Sequence, residues 1–222
     1  MQTNKNNILV VDDHQLFREG LSQMINRESD LHVCGEAGDA QTAMEAMKEL
    51  KPDMAIVDIS LADSNGIDLI KQIRTYDQET PILVLSMHDE SLYAERALRC
   101  GANGYIMKQE ANKKVRDAIR QVLGGEIYLS EKMSSQLVSK LIGGRADTAK
   151  SPIESLSPRE LEVFELLGQG HGTRQIAEAM KLTIPTINSF RARIKEKLNL
   201  KNASELVLNA IQWVQSKHTP SN

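Results

Sequence analysis

Five polar or charged residues in the first half of the chain stand at, or directly after, the end of a short apolar run. They are Asp12, Asp13, Asp58, Ser86 and Lys108. Three clustered carboxylates repel each other unless a hard divalent cation neutralises them, and Mg²⁺ prefers oxygen ligands of this kind. A phosphoryl group carried by Asp58 would offer oxygens to that cation, to the Ser86 hydroxyl and to the Lys108 ammonium. The residue types therefore favour Mg²⁺-assisted phosphoryl chemistry over a solvated rim of unrelated polar side chains.

The apolar runs alternate with segments of helical periodicity, and this alternation predicts the elements that position the five residues. Strands are predicted over 8–11, 31–36, 54–58, 82–86 and 104–107. Helices are predicted from the spacing of Phe17, Leu21 and Met24, and over 39–50, 65–76, 92–100 and 112–123. This pattern predicts an α/β fold, a doubly wound (βα)5 parallel sheet with helices on both faces. Because parallel strands end at one carboxyl edge, the five residues should meet there.

The last third of the chain is predicted to form a small all-α domain of four helices. The tetrapeptide Ser157 to Glu160 is a capping box with proline at the first helical position, and it starts the first helix. Thr173 is predicted to cap a short second helix, Thr183 a longer third helix, and the fourth is predicted over 204–215. The second and third helices then form a helix-turn-helix, whose second member fits the major groove of DNA.

A connecting segment separates these two halves. The glycine pair at 124 and 125 ends the fifth helix, and an amphipathic helix is predicted over 132–142. Residues 143–154 lack apolar periodicity, so we expect a flexible linker there. The expected organisation is an α/β domain over 1–124, a linker with one helix over 125–154, and a helical domain over 155–222.

The third helix of the second half is strongly basic, although the whole chain has a formal net charge of −3. Residues 184–201 contain five basic residues and one acidic residue, an excess of four positive charges. Its outward face and flanks comprise Asn188, Ser189, Arg191, Ala192, Arg193 and Lys195. An asparagine amide can pair bidentately with adenine, whereas basic side chains suit phosphates. A basic helix can be merely solvated, but its place in a helix-turn-helix favours double-stranded DNA as the partner.

The composition fits a soluble globular protein with room for two domains, since 41% of its 222 residues are hydrophobic and 26% are charged. No run approaches the ~18 consecutive apolar residues of a membrane span. The start MQTNKNN also lacks the apolar stretch of a signal peptide. We therefore expect a cytoplasmic protein with no membrane partner.

The strand-end motifs resemble those of the receiver domain of two-component response regulators, over roughly residues 7–124. The matching motifs are VVDD at 10–13, VD at 57–58, VLS at 84–86 and GYIMK at 104–108. The resemblance implies that Asp58 accepts a phosphoryl group from a sensor histidine kinase. It also implies that Asp13 binds Mg²⁺ directly, next to Asp58, and that Asp12 assists in binding this ion. The backbone carbonyl of Ser60 would complete the protein ligands.

The same resemblance implies that Ser86 and Lys108 bind the phosphoryl group and that Tyr105 is a rotating aromatic switch. Two positions depart from the common pattern. Leu61-Ala62 replaces a Met-Pro pair, so this loop is expected to be less rigid. Gln109 replaces a proline that often follows a cis peptide bond. A cis bond without proline costs about 2.5–4 kcal/mol, so a trans bond is expected here.

The helical segments of the second half resemble the LuxR-type output domain of the NarL/FixJ response regulators, over roughly residues 154–216. The matching motifs are LSPRELEVFELL, QIAEAM, TIPTINSFRARIKEKL and NASELV. The resemblance implies base or groove contacts by Asn188, Ser189 and Ala192, and DNA backbone contacts by Thr186, Arg191 and their neighbours. It also implies dimerisation through the last helix, and a two-fold dimer should bind inverted repeats. Asn188 and Phe190 replace a lysine and a histidine of the family, which leaves the DNA sequence open.

Together these features predict a DNA-binding response regulator, not an enzyme. Phosphorylation at Asp58 would control homodimerisation or release of the output domain, and thereby transcription. A first alternative is a degenerate receiver that regulates DNA without phosphate, although the intact acidic residues argue against it. A second alternative is a phosphohydrolase with an aspartyl nucleophile, but that chemistry needs a second aspartate where this chain has Ser60.

Overall fold

The computed structural model describes residues 5–61, 64–142 and 152–218, and it divides into two compact units. The first unit is Met1–Gly144 and the second is Arg145–Asn222. The predicted flexible linker over 143–154 lies mostly outside the described residues. A short 3₁₀ helix, Pro152–Ser155, begins within the last part of this linker. Among the described residues, no helix combines the length and apolar character that crossing a membrane requires.

The first unit contains a five-stranded parallel sheet in the order β2-β1-β3-β4-β5. The strands are β1 (Asn6–Val11), β2 (Leu31–Ala37), β3 (Met54–Val57), β4 (Ile82–Ser86) and β5 (Gly104–Met107). All residues of β3 and β4 are buried, which is typical of central parallel strands covered on both faces. The doubly wound parallel sheet expected from the sequence is thereby confirmed. Three strand boundaries differ from the predicted ones, because β1 already begins at Asn6, β2 extends to Ala37, and β3 ends at Val57. Asp58 is therefore the first residue of the following loop.

Six α-helices lie in the described part of the first unit. They are α1 (Gln15–Asn26), α2 (Ala40–Leu50), α3 (Gly66–Tyr76), α4 (Glu90–Arg99), α5 (Ala111–Leu123) and α6 (Glu131–Ile142). Asp39, Asn65 and Asp89 cap α2, α3 and α4, each accepting a hydrogen bond from a backbone amide of the first turn. The helix predicted within the connecting segment is α6, which packs against α4 inside the first unit.

Over residues 156–218 the second unit contains four α-helices, as expected. They are α7 (Pro158–Gly168), α8 (Thr173–Ala179), α9 (Ile184–Lys197) and α10 (Ala203–His218). The predicted capping box is present at the start of α7, where Ser157 and Glu160 exchange side-chain to backbone hydrogen bonds. The prediction that Thr173 caps α8 is wrong. Gly172 is the capping residue, and the Thr173 hydroxyl accepts a hydrogen bond from Arg191 of α9 instead.

Close helix packing holds the second unit together. Phe164 of α7 lies against Trp213 of α10, with ring centroids 5.4 Å apart. Glu160, which is 2% exposed, bonds to Lys197 of α9 at 2.6 Å. Burial alone would raise the pKa of Glu160, but hydrogen bonds from Lys197 and Ser157 outweigh it and the pKa is lowered. The ionised glutamate therefore ties α7, the first helix of the unit, to α9.

Candidate functional site

The carboxyl edge of the sheet brings the predicted acidic residues together around Lys108. The Lys108 ammonium lies 2.6 Å from Asp12 Oδ2 and 2.7 Å from Asp58 Oδ2. Its side chain is 5% exposed and stands over the ring of Phe17, with Nζ 4.5 Å from the centroid. Lys108 therefore bridges two strand ends, and one ammonium faces two buried carboxylates.

Asp58 and Asp12 are the most enclosed carboxylates of this pocket, each at 2% exposure. The Oδ2 atom of Asp58 bonds to Lys108, while its buried Oδ1 has no hydrogen-bond partner among the described residues. Burial raises the pKa of Asp58; the Lys108 ammonium opposes this effect and the Asp12 carboxylate adds to it. A buried carboxylate oxygen without a partner is costly, so this pocket suits an additional positive charge.

The acidic turn after β1 supplies the other carboxylates. Single ligand atoms of Asp12, Asp13, His14 and Asp58 all lie within 4.8 Å of one another. The backbone amide of His14 donates to Asp12 Oδ1 at 2.9 Å. The Nδ1 atom of the His14 ring lies 2.7 Å from Asp13 Oδ1. Arg18 donates to the backbone carbonyl of Asp12. Sequence reasoning missed His14 and Arg18, although the position of His14 directly after the aspartate pair was an available signal.

Ser86 and Tyr105 occupy the neighbouring strand ends. Ser86 is fully buried, and its hydroxyl accepts a hydrogen bond from the His88 amide at 3.2 Å. The Tyr105 side chain is also buried, and its hydroxyl donates to the His88 carbonyl at 2.9 Å. Burial raises the pKa of Tyr105, so this hydroxyl stays protonated and available as a donor. Ser86 and Tyr105 are thus joined through the loop between β4 and α4.

The loop after Asp58 is closed by contacts that the sequence did not predict. Ser60 Oγ lies 2.9 Å from His88 Nε2, and Ser60 forms an isolated bridge with Asn65. Leu61 is buried at 2% exposure, whereas Ala62, the second residue of the altered pair, lies outside the described residues. The peptide bond between Lys108 and Gln109 is trans, as expected.

Gly66 makes the closest backbone approach in this region. A Cβ atom added at Gly66 would lie 2.0 Å from the Asp58 carbonyl oxygen and 2.9 Å from the Ile59 Cα. The Gly66 amide donates to the Ile59 carbonyl at 2.7 Å, which fixes the start of α3 against the end of β3. Only glycine leaves room for this approach, and the position of Asp58 depends on it.

The basic face predicted for the third helix of the second unit belongs to α9. Asn188, Ser189, Ala192 and Arg193 are exposed on this helix, whereas Thr186, Arg191 and Lys195 are partly covered. The Thr186 hydroxyl is 2.8 Å from that of Thr183, and Ser189 Oγ donates to the Pro185 carbonyl at 3.0 Å. Arg191 is engaged with α8 through Thr173. Arg193 is therefore the exposed guanidinium of this face among the predicted DNA-contact residues.

Comparison with known proteins matches both units to families. Residues 8–120 match the response regulator receiver domain, and residues 154–210 match the bacterial regulatory proteins of the luxR family. The oxygen regulatory protein NreC of Staphylococcus carnosus is 34% identical over 209 residues, which cover 92% of this chain and 96% of NreC.

Solved structures agree with these matches. A LuxR-family two-component response regulator from Aurantimonas sp. is 31% identical, with a TM-score of 0.58, covering 63% of this chain and 99% of that one. RcsB from Salmonella enterica serovar Typhimurium, bound to the promoter rprA in the presence of the phosphomimetic BeF3−, is 26% identical with a TM-score of 0.60. That match covers 94% of this chain and 99% of RcsB.

The sheet, its acidic edge and the helical second unit, together with the two family matches, define a signalling regulator of transcription. The chain belongs to the two-component response regulators that join a receiver domain to a LuxR-type DNA-binding domain. A receiver domain implies a histidine kinase as partner, and a LuxR-type domain implies DNA binding.

Proposed function

We propose that phosphorylation of Asp58 by a sensor histidine kinase, assisted by Mg²⁺, controls dimerisation and DNA binding by this protein. The observation that carries this proposal is the buried Asp58 Oδ1, for which the described part of the chain offers no hydrogen-bond partner, while Lys108 holds the other oxygen. One oxygen is thus oriented by an ammonium, and the other remains available as a nucleophile.

The donor set of the acidic pocket fits Mg²⁺. The carboxylates of Asp12, Asp13 and Asp58 supply hard oxygen ligands, and the resemblance adds the backbone carbonyl of Ser60. The pocket holds three carboxylates, and the Lys108 ammonium pairs with only two of them, Asp12 and Asp58. A divalent cation would balance the remaining negative charge. When bound, Mg²⁺ supplies positive charge beside the phosphoryl oxygens.

In the proposed phosphoryl transfer, Asp58 Oδ1 forms the new P–O bond. The bond from phosphorus to the donor breaks, and its electron pair leaves with the donor, which is an imidazole nitrogen in a kinase or acetate in acetyl phosphate. Asp58 then carries an acyl phosphate of about −1.5 to −2 charge. The Lys108 ammonium and the Ser86 hydroxyl would bind its oxygens, and Tyr105 would follow the movement of Ser86.

For the second domain we propose a two-fold homodimer that binds inverted repeats, with α9 in the major groove. Asn188 and Ser189 are exposed at the first half of α9, where a recognition helix meets base edges. RcsB, in the complex with rprA, was bound to its promoter with a phosphomimetic present. The RcsB complex supports the proposal that phosphorylation of the receiver and DNA binding are coupled in this chain.

Acetyl phosphate and Mg²⁺ are expected to add one phosphoryl group to the wild-type protein, to shift it toward a dimer, and to increase its affinity for promoter DNA. Intact mass, a sizing column and DNA titrations measure the three results on one sample. Labelling without a change in size or in DNA affinity would contradict the proposed switch. DNA binding that is equally tight without labelling would favour the phosphate-independent alternative.

Substitutions on α9 should separate base reading from phosphate contact. Asn188→Ala is expected to cost roughly 1–3 kcal/mol on the specific site and little on random DNA, because the amide would be lost from a base edge. Arg193→Ala should weaken both complexes about equally and reduce the dependence of affinity on salt. Both variants are titrated against specific and scrambled duplexes at several salt concentrations. Equal losses on both duplexes for Asn188→Ala would show that Asn188 contacts the DNA backbone.

A further inference from the structure

The segment that follows α5 is bonded directly to β5, the strand that carries Tyr105. The Tyr105 amide donates to the Tyr128 carbonyl at 2.9 Å, and the Tyr128 amide donates to the Asn103 carbonyl at 3.0 Å. Gly104 and Tyr128 form a parallel bridge. Because β5 is the edge strand of the sheet, Tyr128 satisfies backbone groups that the sheet itself leaves unpaired.

Gly104 allows this close approach of Tyr128. A Cβ atom added at Gly104 would lie 3.0 Å from both the Cβ and the carbonyl oxygen of Tyr128, and 2.9 Å from Leu83 Cδ1. Gln121 adds a second restraint, since its side-chain amide donates to the Ile127 carbonyl at 2.9 Å. The connecting segment is therefore held on the receiver before α6 begins.

Ser130 links α6 to α4 through a single hydroxyl. Its Oγ donates to Glu90 Oε1 at 2.5 Å, and it accepts a hydrogen bond from the Met133 amide at 3.1 Å in the first turn of α6. Met133 is buried at 2% exposure, and α6 packs against α4. Glu90 is the first residue of α4. One side chain thus caps α6 and bonds to the start of α4.

Both anchors of the connecting segment lead back to the proposed switch. Tyr105 donates its side-chain hydroxyl to His88 and its backbone amide to Tyr128. His88 lies two residues before Glu90, in the loop that follows Ser86, the last residue of β4. A movement of this loop toward a phosphoryl group therefore displaces the groups that hold the two anchors of the connecting segment. These groups are the β5 backbone that bonds to Tyr128 and the Glu90 carboxylate that bonds to Ser130.

We infer that the segment from Ile127 to Ile142 transmits the phosphorylation state of the receiver, with the Ser130–Glu90 hydrogen bond as the coupling contact. This inference rests on the proposed phosphorylation of Asp58. Both chemical states of the pocket act on α4 and β5, and the start of α6 is attached to these two elements through Ser130 and the preceding Tyr128. A contact that differs between the two states is what lets one site bias another.

The test compares Ser130→Ala and Glu90→Ala with Ser135→Ala, an exposed serine on the same helix. Each full-length variant is treated with acetyl phosphate and Mg²⁺. Intact mass measures phosphoryl incorporation, and titrations measure DNA affinity. Amide hydrogen exchange is followed in the peptide covering 127–142. Glu90→Ala removes the contact to α4 but leaves Ser130 free to cap α6, so it separates coupling from helix capping.

We expect all three variants to incorporate the phosphoryl group like the wild type. Allosteric couplings are typically about 5- to 150-fold, and Ser130→Ala and Glu90→Ala should each reduce the phosphorylation-dependent gain in DNA affinity by about 5-fold or more. The exchange difference over 127–142 should shrink in parallel, while Ser135→Ala keeps both responses.

Three outcomes would overturn the inference. If the wild type incorporates no phosphoryl group, the proposed function fails and the inference fails with it. If all variants are labelled and retain the full gain in DNA affinity, only the inference fails. If Ser130→Ala alone loses the response while Glu90→Ala keeps it, the serine acts as a helix cap and the contact to α4 transmits nothing.

Discussion

Replacing Asp58 with asparagine is expected to abolish phosphoryl incorporation from acetyl phosphate. Asp58 Oδ1 is buried and has no hydrogen-bond partner within residues 5–61, 64–142 and 152–218, while Lys108 holds Oδ2, so the carboxylate presents one oriented oxygen. An amide in its place lacks the negative charge that attacks phosphorus and that pairs with Lys108. Intact mass after treatment with acetyl phosphate and Mg²⁺ should show the labelled species for the wild type and none for the variant.

Asp68→Asn is the matched control for this experiment, because Asp68 lies on α3 with its carboxylate about half exposed and bonded to Lys71. This control should be labelled like the wild type. Labelling of Asp58→Asn at the wild-type level would refute the assignment of the phosphoacceptor. Labelling that moves to Asp12 or Asp13 in the variant would show that the pocket, not the single residue, determines the site.

Gly66→Ala is expected to destabilise the receiver and to disturb the acidic pocket at the same time. The new methyl group would lie 2.0 Å from the Asp58 carbonyl oxygen, so either α3 or the backbone at Asp58 must move. Overpacking of this kind typically costs 1–3 kcal/mol and occasionally more, and we expect about 3 kcal/mol. Urea unfolding measures the loss, and acetyl phosphate labelling of the folded variant should be slower than that of the wild type.

Gly20→Ala provides the opposite case in the same domain. Gly20 lies inside α1, and a Cβ atom there has no heavy atom within 4 Å beyond its own helix and neighbours. Alanine at this helical position should stabilise the receiver by about 0.5–1 kcal/mol, because it restricts the unfolded chain. Equal stabilities of the two variants would mean that Gly66 does not approach Asp58 as closely as the structure places it.

Much of the fold followed from local patterns in the sequence. The alternation of apolar runs with helical periodicity predicted all five strands and the order of the receiver elements, since a buried parallel strand requires a continuous apolar run. The capping box at Ser157 and the cap at Thr183 were correct because capping depends on residues within one turn. Thr173 was assigned wrongly because Arg191, a residue from another helix, engages its hydroxyl.

The acidic site was predictable for a related reason. Residues at the ends of parallel strands meet at one edge of the sheet, so Asp12, Asp58 and Lys108 could be grouped from their positions alone. The sequence therefore determined the class of the protein, the carboxylates and the lysine of the pocket, and the face of α9 that carries the exposed basic charge.

Only the tertiary structure decided how these groups are connected. The bridging of two carboxylates by Lys108 and the contact between Ser60 and His88 join residues 28 to 96 positions apart. The linker helix was predicted as a helix, but its attachment to α4 through Ser130 and Glu90 was not. Side-chain hydrogen bonds between distant elements depend on distances of a few tenths of an ångström, and the periodicity of a sequence carries no information on that scale.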